Sequence, residues 1–365
     1  MVETSRPVLL LFSQPWRVGG AETHLETLIR QFVRWQVPVV LVGIDAAITQ
    51  QFAGIPVYRL PLRSGSPAVQ WQNYGALKQI VLKHKIGLIH SHTRTGNIVG
   101  WLLKRALGVP YTATLHDKWR RLHRIYHPFL PRRCIAVSEG VKGHFVREMG
   151  VAAERIAVVE NGVELRTEWD KTEPDVNDRM ILHVSRFSHH KGSVAIRLCE
   201  IAAALNERLP DCKLVLVGQG PLSAAVQDAA QRANAACGRE AVLFLGPRRD
   251  IAALLSAAAI AVGVGRFALE AMAAGRPVIA LIDEVDFPGI IDEDNWQQAS
   301  RTSWTCGTKK NTDDNLRREL ETLLTDRELR IRLGAFGQEL IRMHFSAERM
   351  AERVLAVYRE IQAGK

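Results

Sequence analysis

Two cations on one predicted loop are the first residues of this sequence whose spacing fits a chemistry. Arg186 and Lys191 stand five positions apart after the apolar segment "MILHV", and Gly192 follows them. Two cations on one loop suit a diphosphate, whose negative charge must be stabilised when it leaves a reacting carbon. We therefore expect this loop to bind a phosphate compound.

Glycine-rich loops after other predicted strands add a possible nucleotide site. The stretch "AVGVGRFALEAMAAG" at 261–275 leads into a predicted helix at 269–275, and helix N-termini attract phosphate. Glu270, expected in the first turn of that helix, can accept both hydroxyls of a ribose. The loops "VGQGP" and "FLGPRRD" follow two more strands. The predicted ligand contacts in these loops are Gly218, Gly220, Arg248, Gly265, Arg266 and Phe267.

The elements that must position these loops alternate between strand and helix in both halves of the chain. This alternation is typical of parallel sheets covered on both faces. We predict an α/β protein of two Rossmann-like doubly wound domains, at 1–165 and 179–345, that face each other across a cleft. The polar, aperiodic segment 166–178 is predicted to be a linker, and a final helix at 347–362 to pack back on the first domain.

Composition and charge limit the class of protein. The chain has 365 residues, a net charge of +10 and five scattered cysteines, which favours reduced thiols in a cytoplasm. We expect neither a signal peptide nor a membrane-spanning segment. The basic segment Lys118–Arg133 contains Trp119, Tyr126 and Phe129. It predicts peripheral contact with an anionic surface on the inner face of the cell membrane. No nucleic-acid-binding motif accompanies this segment, so nucleic acid is not an expected partner.

Histidine pairs raise the alternative of a metal site. His90 and His92 alternate along one strand, and two more pairs occur at 123 with 127 and at 189 with 190. At the usual ligand spacing, no carboxylate or thiol completes any of these sets. We therefore expect no bound metal and no cofactor.

Taken together, the segments resemble the GT-B nucleotide-sugar glycosyltransferases of the retaining family 4. The resemblance rests on the order and spacing of "VGGAETHLETLIRQF", "LIHSHT", "TLHD", "CIAVSEGVKGHFV", "VSRFSHHKG", "LVLVGQGPL", "VLFLGPRRDI" and "LEAMAAGRPVIA". It implies that Arg186 and Lys191 bind the donor diphosphate and that Glu270 binds the ribose. It also implies that His116 faces the donor sugar, and that the loop with Gly19 and Gly20 lies beside the diphosphate and acceptor.

One departure from the family pattern concerns the sugar. The family usually has a further glutamate eight positions before the ribose glutamate, and Val262 stands there in this sequence. Arg266 stands where the family usually has an apolar residue. The sequence therefore predicts that the sugar is held by backbone amides, by Arg266 or by the N-terminal domain.

The resemblance predicts a retaining glycosyltransferase without a catalytic metal. The expected donor is a nucleoside diphosphate-sugar carrying a hexose-type sugar, and the expected acceptor a glycan, lipid-linked or lipopolysaccharide-type molecule. One alternative is a catalytically inactive nucleotide-binding homologue that acts as an interaction protein. Another is an NAD-dependent oxidoreductase. The absence of a GxGxxG loop after the first predicted strand argues against this alternative.

Overall fold

The chain divides into two units. Unit 1 comprises Met1–Gly162 and Ala347–Lys365, and unit 2 comprises Val163–Ser346. The computed structural model describes residues 6–16, 19–45, 52, 54–166, 169, 179–283 and 285–364. Most of the predicted linker at 166–178 lies outside these described residues.

Unit 1 contains a seven-stranded sheet in the order β3-β2-β1-β4-β5-β6-β7, in which every neighbouring pair is parallel. The central strand "VLLLF" is buried along its whole length, because helices cover both faces of a parallel sheet. The strands of this sheet are β1 (Val8–Phe12), β2 (Val39–Gly43), β3 (Val57–Arg59), β4 (Leu88–Ser91), β5 (Tyr111–Leu115), β6 (Cys134–Ala136) and β7 (Ile156–Val158).

The helices of unit 1 begin and end at residues whose chemistry explains their bounds. Ser66, Thr93 and Ser138 accept hydrogen bonds from the first-turn amides of the helices that follow them. Gly108 and Gly150 end two helices in the left-handed conformation. The helices are α1 (Gly20–Arg34), α2 (Pro67–Lys83), α3 (Arg94–Leu107) and α4 (Glu139–Met149), with a 3-10 segment at Arg121–Phe129.

Unit 2 contains a six-stranded sheet in the order β10-β9-β8-β11-β12-β13, parallel except for the last pair. Its strands are β8 (Met180–Val184), β9 (Lys213–Val217), β10 (Val242–Gly246), β11 (Ile260–Val262), β12 (Val278–Ala280) and β13 (Gly289–Ile290). Its helices are α5 (His189–Arg208), α6 (Ser223–Cys237), α7 (Ile251–Ala257), α8 (Arg266–Ala273), α9 (Trp296–Arg301), α10 (Asp313–Thr325) and α11 (Arg327–Leu340). The prediction of two parallel-dominated α/β sheets is confirmed.

The structure corrects three local expectations in unit 2. The sequence pattern predicts one helix at 314–336, but the structure has two, because the Asp326 side chain accepts from the Leu329 amide (2.8 Å) and starts a new helix. Segment 283–313, which the sequence indicates to be irregular, contains β13 and α9. The helix expected at 269–275 begins three residues earlier, at Arg266.

The final helix, α12 (Ala347–Gln362), belongs to unit 1 and packs against α1. Val354 and Tyr358 of α12 are fully buried in the same apolar cluster as Leu25 and Phe32 of α1. The Tyr358 hydroxyl also lies 2.6 Å from Nδ1 of the buried His90 on β4. The last helix therefore completes the core of the unit that begins the chain.

Candidate functional site

The loop between β8 and α5 presents the two predicted diphosphate cations. Phe187 is fully buried and its amide donates to the Gln219 carbonyl (3.1 Å), which fastens the loop to the neighbouring one. Arg186, beside this anchor, is exposed, and Lys191 lies in the first turn of α5. Both cations therefore follow the carboxyl end of a central parallel strand, where ligands bind in such sheets.

A small cavity links this loop to the glycine-rich stretch. Lys191 lines it together with Ser185, Gly263 and Val264. His183 forms its floor, donating from Nδ1 to the Val262 carbonyl (2.8 Å) and accepting at Nε2 from the Ser185 hydroxyl (2.9 Å). Burial lowers the pKa of His183 to about 4, so the ring is neutral and holds the two loops together at neutral pH.

The glycine-rich stretch only partly forms the predicted phosphate cradle. Gly265 adopts φ +64°, a conformation that favours glycine, and precedes the first residue of α8. Its amide donates to the Ser303 carbonyl (3.0 Å), which corrects the expectation that this amide binds phosphate. The amides of Arg266 and Phe267 lie in the first turn of α8, where backbone N–H groups point toward the helix N-terminus, and they remain candidates for that contact.

Glu270 is paired with Arg266 one helical turn away. Arg266 Nε donates to Glu270 Oε1 (2.8 Å), and both side chains are largely buried. Because α8 begins at Arg266, Glu270 lies in the second turn rather than the first turn that the sequence predicted. Stabilisation by the helix dipole, which is confined to the first turn, therefore does not explain a carboxylate here.

Val262 is the last residue of β11, and its side chain is fully buried. The backbone of this strand pairs with β8 on one side and β12 on the other. The position eight residues before Glu270 is thus part of the apolar core. The loop that follows it is only Gly263–Gly265.

The two glycines of "VGQGP" make room for protein rather than for a ligand. A Cβ on Gly218, which has φ +150°, would lie 1.9 Å from the Ser185 carbonyl oxygen. A Cβ on Gly220 would lie 2.5 Å from the Phe187 carbonyl oxygen. The close approach that the sequence indicated is therefore between this loop and the loop that carries Arg186.

Arg248 forms a two-pronged ion pair with Asp250 on the protein surface, with distances of 2.8 and 2.5 Å. Its hydrogen bonds with Asp250 raise the pKa of Arg248 and lower that of Asp250. A donor contact by Arg248 would have to compete with this local pairing.

In unit 1, the predicted glycines lie at the start of α1. The Gly19 carbonyl accepts from the Thr23 amide (3.0 Å) and hydroxyl (2.8 Å), which holds the first turn. A Cβ on Gly20 would meet no atom within 4 Å, and Gly20 has no left-handed φ. Packing within the described residues therefore gives no reason for a glycine at position 20.

His116 belongs to a histidine cluster that sequence reasoning missed. His92 and His116 directly follow β4 and β5, and His92 Nδ1 lies 3.2 Å from His116 Nε2. His24, on α1, packs edge-on against His116 with ring centres 4.9 Å apart. Burial, together with the neighbouring histidines, lowers the pKa of His92 and His116 well below the ordinary value. These rings are therefore neutral at physiological pH.

Of the three aromatic residues predicted at a membrane boundary in the segment Lys118–Arg133, Trp119 is buried, whereas Tyr126 and Phe129 are partly exposed. Trp119 is buried and packs against Phe145, with ring centres 4.9 Å apart. The exposed apolar side chains are instead Leu122 and Ile125, at 78% and 65% exposure. Aliphatic side chains therefore form the most exposed apolar part of this segment.

A cavity of about 480 Å³ in unit 1 adjoins the end of this segment. Four of its lining residues are cationic, and Trp101 and Tyr111 supply aromatic walls. Arg105 lies over the Trp101 ring at 5.1 Å. The four cationic residues are Lys104, Arg105, Arg132 and Arg155.

Within the described ranges, no helix has both the length and the apolar character needed to cross a bilayer.

Comparisons with known proteins agree with the division of the chain. The model of Glycosyltransferase Family 4 matches residues 18–167, and that of Glycosyl transferases group 1 matches residues 166–340. An uncharacterized glycosyltransferase of Methanocaldococcus jannaschii is 26% identical over 306 residues, covering 73% of this chain and 77% of the relative.

Two solved structures share the fold over nearly the whole chain. A glycosyltransferase from Rickettsia africae superposes with a TM-score of 0.79 at 17% identity and covers 99% of both chains. Anabaena HepE in complex with UDP and glucose gives a TM-score of 0.75 at 20% identity, covering 97% of this chain and 100% of HepE.

Proposed function

The chain belongs to the GT-B glycosyltransferases, and on this premise we propose that it transfers a hexose-type sugar from a nucleoside diphosphate-sugar with retention of configuration. One observation carries the proposal. Lys191, at the start of α5, lines the same small cavity as Gly263 and Val264, directly before the helix that carries Glu270. A cation, glycine-rich backbone and a carboxylate thus converge at one edge of a parallel sheet.

Each of these groups has a role in holding the donor. Arg186 and Lys191 stabilise the charge of the departing diphosphate, assisted by the first-turn amides of Arg266 and Phe267. Glu270 accepts the ribose hydroxyls. HepE contains UDP and glucose in its solved complex, which makes UDP-glucose the first donor to test.

The proposed reaction uses no metal and no organic cofactor. The bond between the anomeric carbon and the diphosphate oxygen breaks, and the acceptor oxygen bonds to the same face of that carbon. The acceptor proton passes to the leaving diphosphate, so no flanking pair of carboxylates of the glycosidase kind is needed. His116, which is neutral because burial lowers its pKa, contacts the donor sugar as a hydrogen-bonding group.

The proposed acceptor is an anionic, lipid-linked or lipopolysaccharide-type glycan at the cytoplasmic face of a membrane. The basic segment Lys118–Arg133 supports this, because exposed Leu122 and Ile125 lie among cations that attract anionic headgroups. The neighbouring cavity adds three further cations, Lys104, Arg105 and Arg155.

Vesicle co-sedimentation tests the acceptor surface. We expect the protein to bind vesicles containing phosphatidylglycerol and not those of phosphatidylcholine alone. Replacing Leu122 and Ile125 by serine should abolish binding. Leu82→Ser, which removes a similarly exposed leucine on α2, should leave it unchanged. Equal sedimentation of all variants, or none with anionic vesicles, would refute this part of the proposal.

A binding-only protein is the second candidate, favoured by the buried Val262 in place of a donor-facing carboxylate. Calorimetry with UDP, GDP and NAD, followed by assays of donor hydrolysis and transfer, separates the possibilities. UDP or GDP binding with turnover supports the transferase, whereas binding without turnover of any nucleotide-sugar supports the binding-only protein. Binding of NAD alone would support an oxidoreductase instead.

A further inference from the structure

Three histidines of unit 1 converge from three different elements. One ring nitrogen from each of His24, His92 and His116 can be chosen so that all three atoms lie within 4.8 Å of one another. His24 lies on α1, and the other two directly follow the neighbouring strands β4 and β5. The backbone thus fixes the three imidazoles on separate supports, as a preorganised ligand set requires.

The spacing fits a shared ion. Two nitrogens bound to a tetrahedral zinc ion at about 2.0–2.1 Å are roughly 3.3 Å apart. His92 Nδ1 and His116 Nε2 are 3.2 Å apart and share one hydrogen bond, whose proton a bound ion would replace. The ring of His24 packs against both of the others, with centres 4.9 and 5.8 Å away, so only a small rearrangement brings in a third nitrogen.

The surroundings also fit metal ligation. His24 Nδ1 lies 2.8 Å from the Asn161 amide oxygen, which fixes the proton on Nδ1 and leaves the lone pair on Nε2. Such an outer hydrogen bond is typical of metal-binding histidines. His92 is buried, so its Nδ1 meets His116 Nε2 away from bulk water.

The chemistry of the ligand atoms indicates which metal ions the cluster would bind. Within the described residues the cluster consists of three imidazoles. Imidazole nitrogens favour zinc, copper, nickel or cobalt over magnesium or calcium. Three protein ligands leave one coordination position open, and His116 is partly exposed, which provides access.

We propose that His24, His92 and His116 bind a divalent transition-metal ion of the zinc type, and that this ion inhibits sugar transfer by occupying the His116 imidazole. The inhibition rests on the proposed function, because it assumes that His116 contacts the donor sugar. Metal binding itself does not depend on that assumption. The ion is therefore an inhibitor and not a catalyst of the proposed reaction.

Titration with Co²⁺ tests the binding directly. The protein, free of any histidine tag and treated with chelator, should bind one Co²⁺ per chain and develop the visible absorption of a tetrahedral site. His24→Gln and His116→Gln should each lower the affinity at least tenfold. His84→Gln, a histidine of the same unit that hydrogen-bonds to Tyr58, should not. Circular dichroism verifies that the variants fold, and His116 is partly exposed and so tolerates substitution.

The absence of stoichiometric binding, or equal binding by wild type and both cluster variants, would overturn the site. For the inhibition, Zn²⁺ at the concentration that saturates the site should reduce UDP-glucose turnover at least tenfold, and chelator should restore it. Turnover unchanged at saturating Zn²⁺ would overturn the inhibition while the site stands. A protein without transferase activity would still give the Co²⁺ result, so failure of the proposed function is distinguishable.

Discussion

Arg266 and Glu270 form an ion pair across one turn of α8, with Arg266 Nε 2.8 Å from Glu270 Oε1. The arginine thus holds in place the carboxylate that is proposed to bind ribose. It also adds a positive charge directly behind the glycine loop. This pair gives the donor site a feature for which the family pattern, with an apolar residue at this position, has no equivalent.

Replacing Arg266 by leucine is therefore expected to weaken donor binding. The affinity for the nucleoside diphosphate-sugar should fall about tenfold, or about 1.4 kcal/mol, because the carboxylate loses its support and the loop loses a cation. Calorimetry measures this, and competition among nucleotide-sugars measures the preference. Arg317→Leu breaks an Arg–Glu pair of the same spacing on α10 and should have no effect. Unchanged affinity and preference in Arg266→Leu would contradict the role.

Lys191→Ala should lower the turnover number on the order of a hundredfold through lost stabilisation of the leaving diphosphate. Single-turnover kinetics with saturating donor checks this, since it isolates the chemical step. The control is Lys213→Ala, an exposed lysine at the opposite end of the sheet, where β9 begins. Near-normal turnover in Lys191→Ala would refute the assignment.

Alanine substitutions at Gly218 and Gly20 distinguish a glycine that packing requires from a glycine that a bound ligand requires. Gly218→Ala should destabilise unit 2 by about 3 kcal/mol, because the new Cβ meets the Ser185 carbonyl and the backbone has φ +150°. Gly20→Ala should leave the melting temperature unchanged, since its Cβ meets open space, but should reduce transfer by obstructing a bound substrate. Thermal melting and activity are measured on both. Full activity in Gly20→Ala would show that no ligand approaches this position closely.

His183 gives unit 2 a defined response to acid. Its folded pKa of about 4 is lower than the ordinary value of about 6.5, so the unfolded chain binds a proton that the folded chain does not. Stability should therefore fall as the pH is lowered from about 6.5 to 4, by about 3 kcal/mol for this group. The difference in urea unfolding between wild type and His183→Gln, followed against pH, isolates the contribution. Parallel curves for the two proteins would contradict it.

Local patterns predicted much of the fold. The apolar segment 251–257 between two loops predicts a helix, and the structure has a helix with the same bounds, because the signals that define it lie within a few residues. Three-residue β3 was not predicted, since its half-exposed residues have no apolar run. The break at Asp326 was also missed, because one capping side chain divides a continuous helical pattern.

The sequence predicted the parts of the candidate site whose residues lie together on one loop, but not the parts formed by residues far apart in sequence. Arg186 and Lys191 follow β8 in both the prediction and the structure, whereas the Gly265–Ser303 hydrogen bond joins residues far apart in sequence. The histidine cluster depends on β4 and β5 being neighbours and on α1 covering their ends. A usable signal was present, because His92 and His116 each directly follow a buried strand.

The return of α12 to unit 1 has a consequence for biosynthesis. Residues 1–162 leave the ribosome before unit 2, whereas Tyr358, which contacts both Phe32 and His90, is made after unit 2. At about 5–20 residues per second, translation of unit 2 occupies roughly ten to forty seconds. Throughout that interval the apolar side of α1 lacks its cover and is open to chaperones. Unit 2 is contiguous and can complete its core first, so the chain finishes folding at the end that was synthesised first.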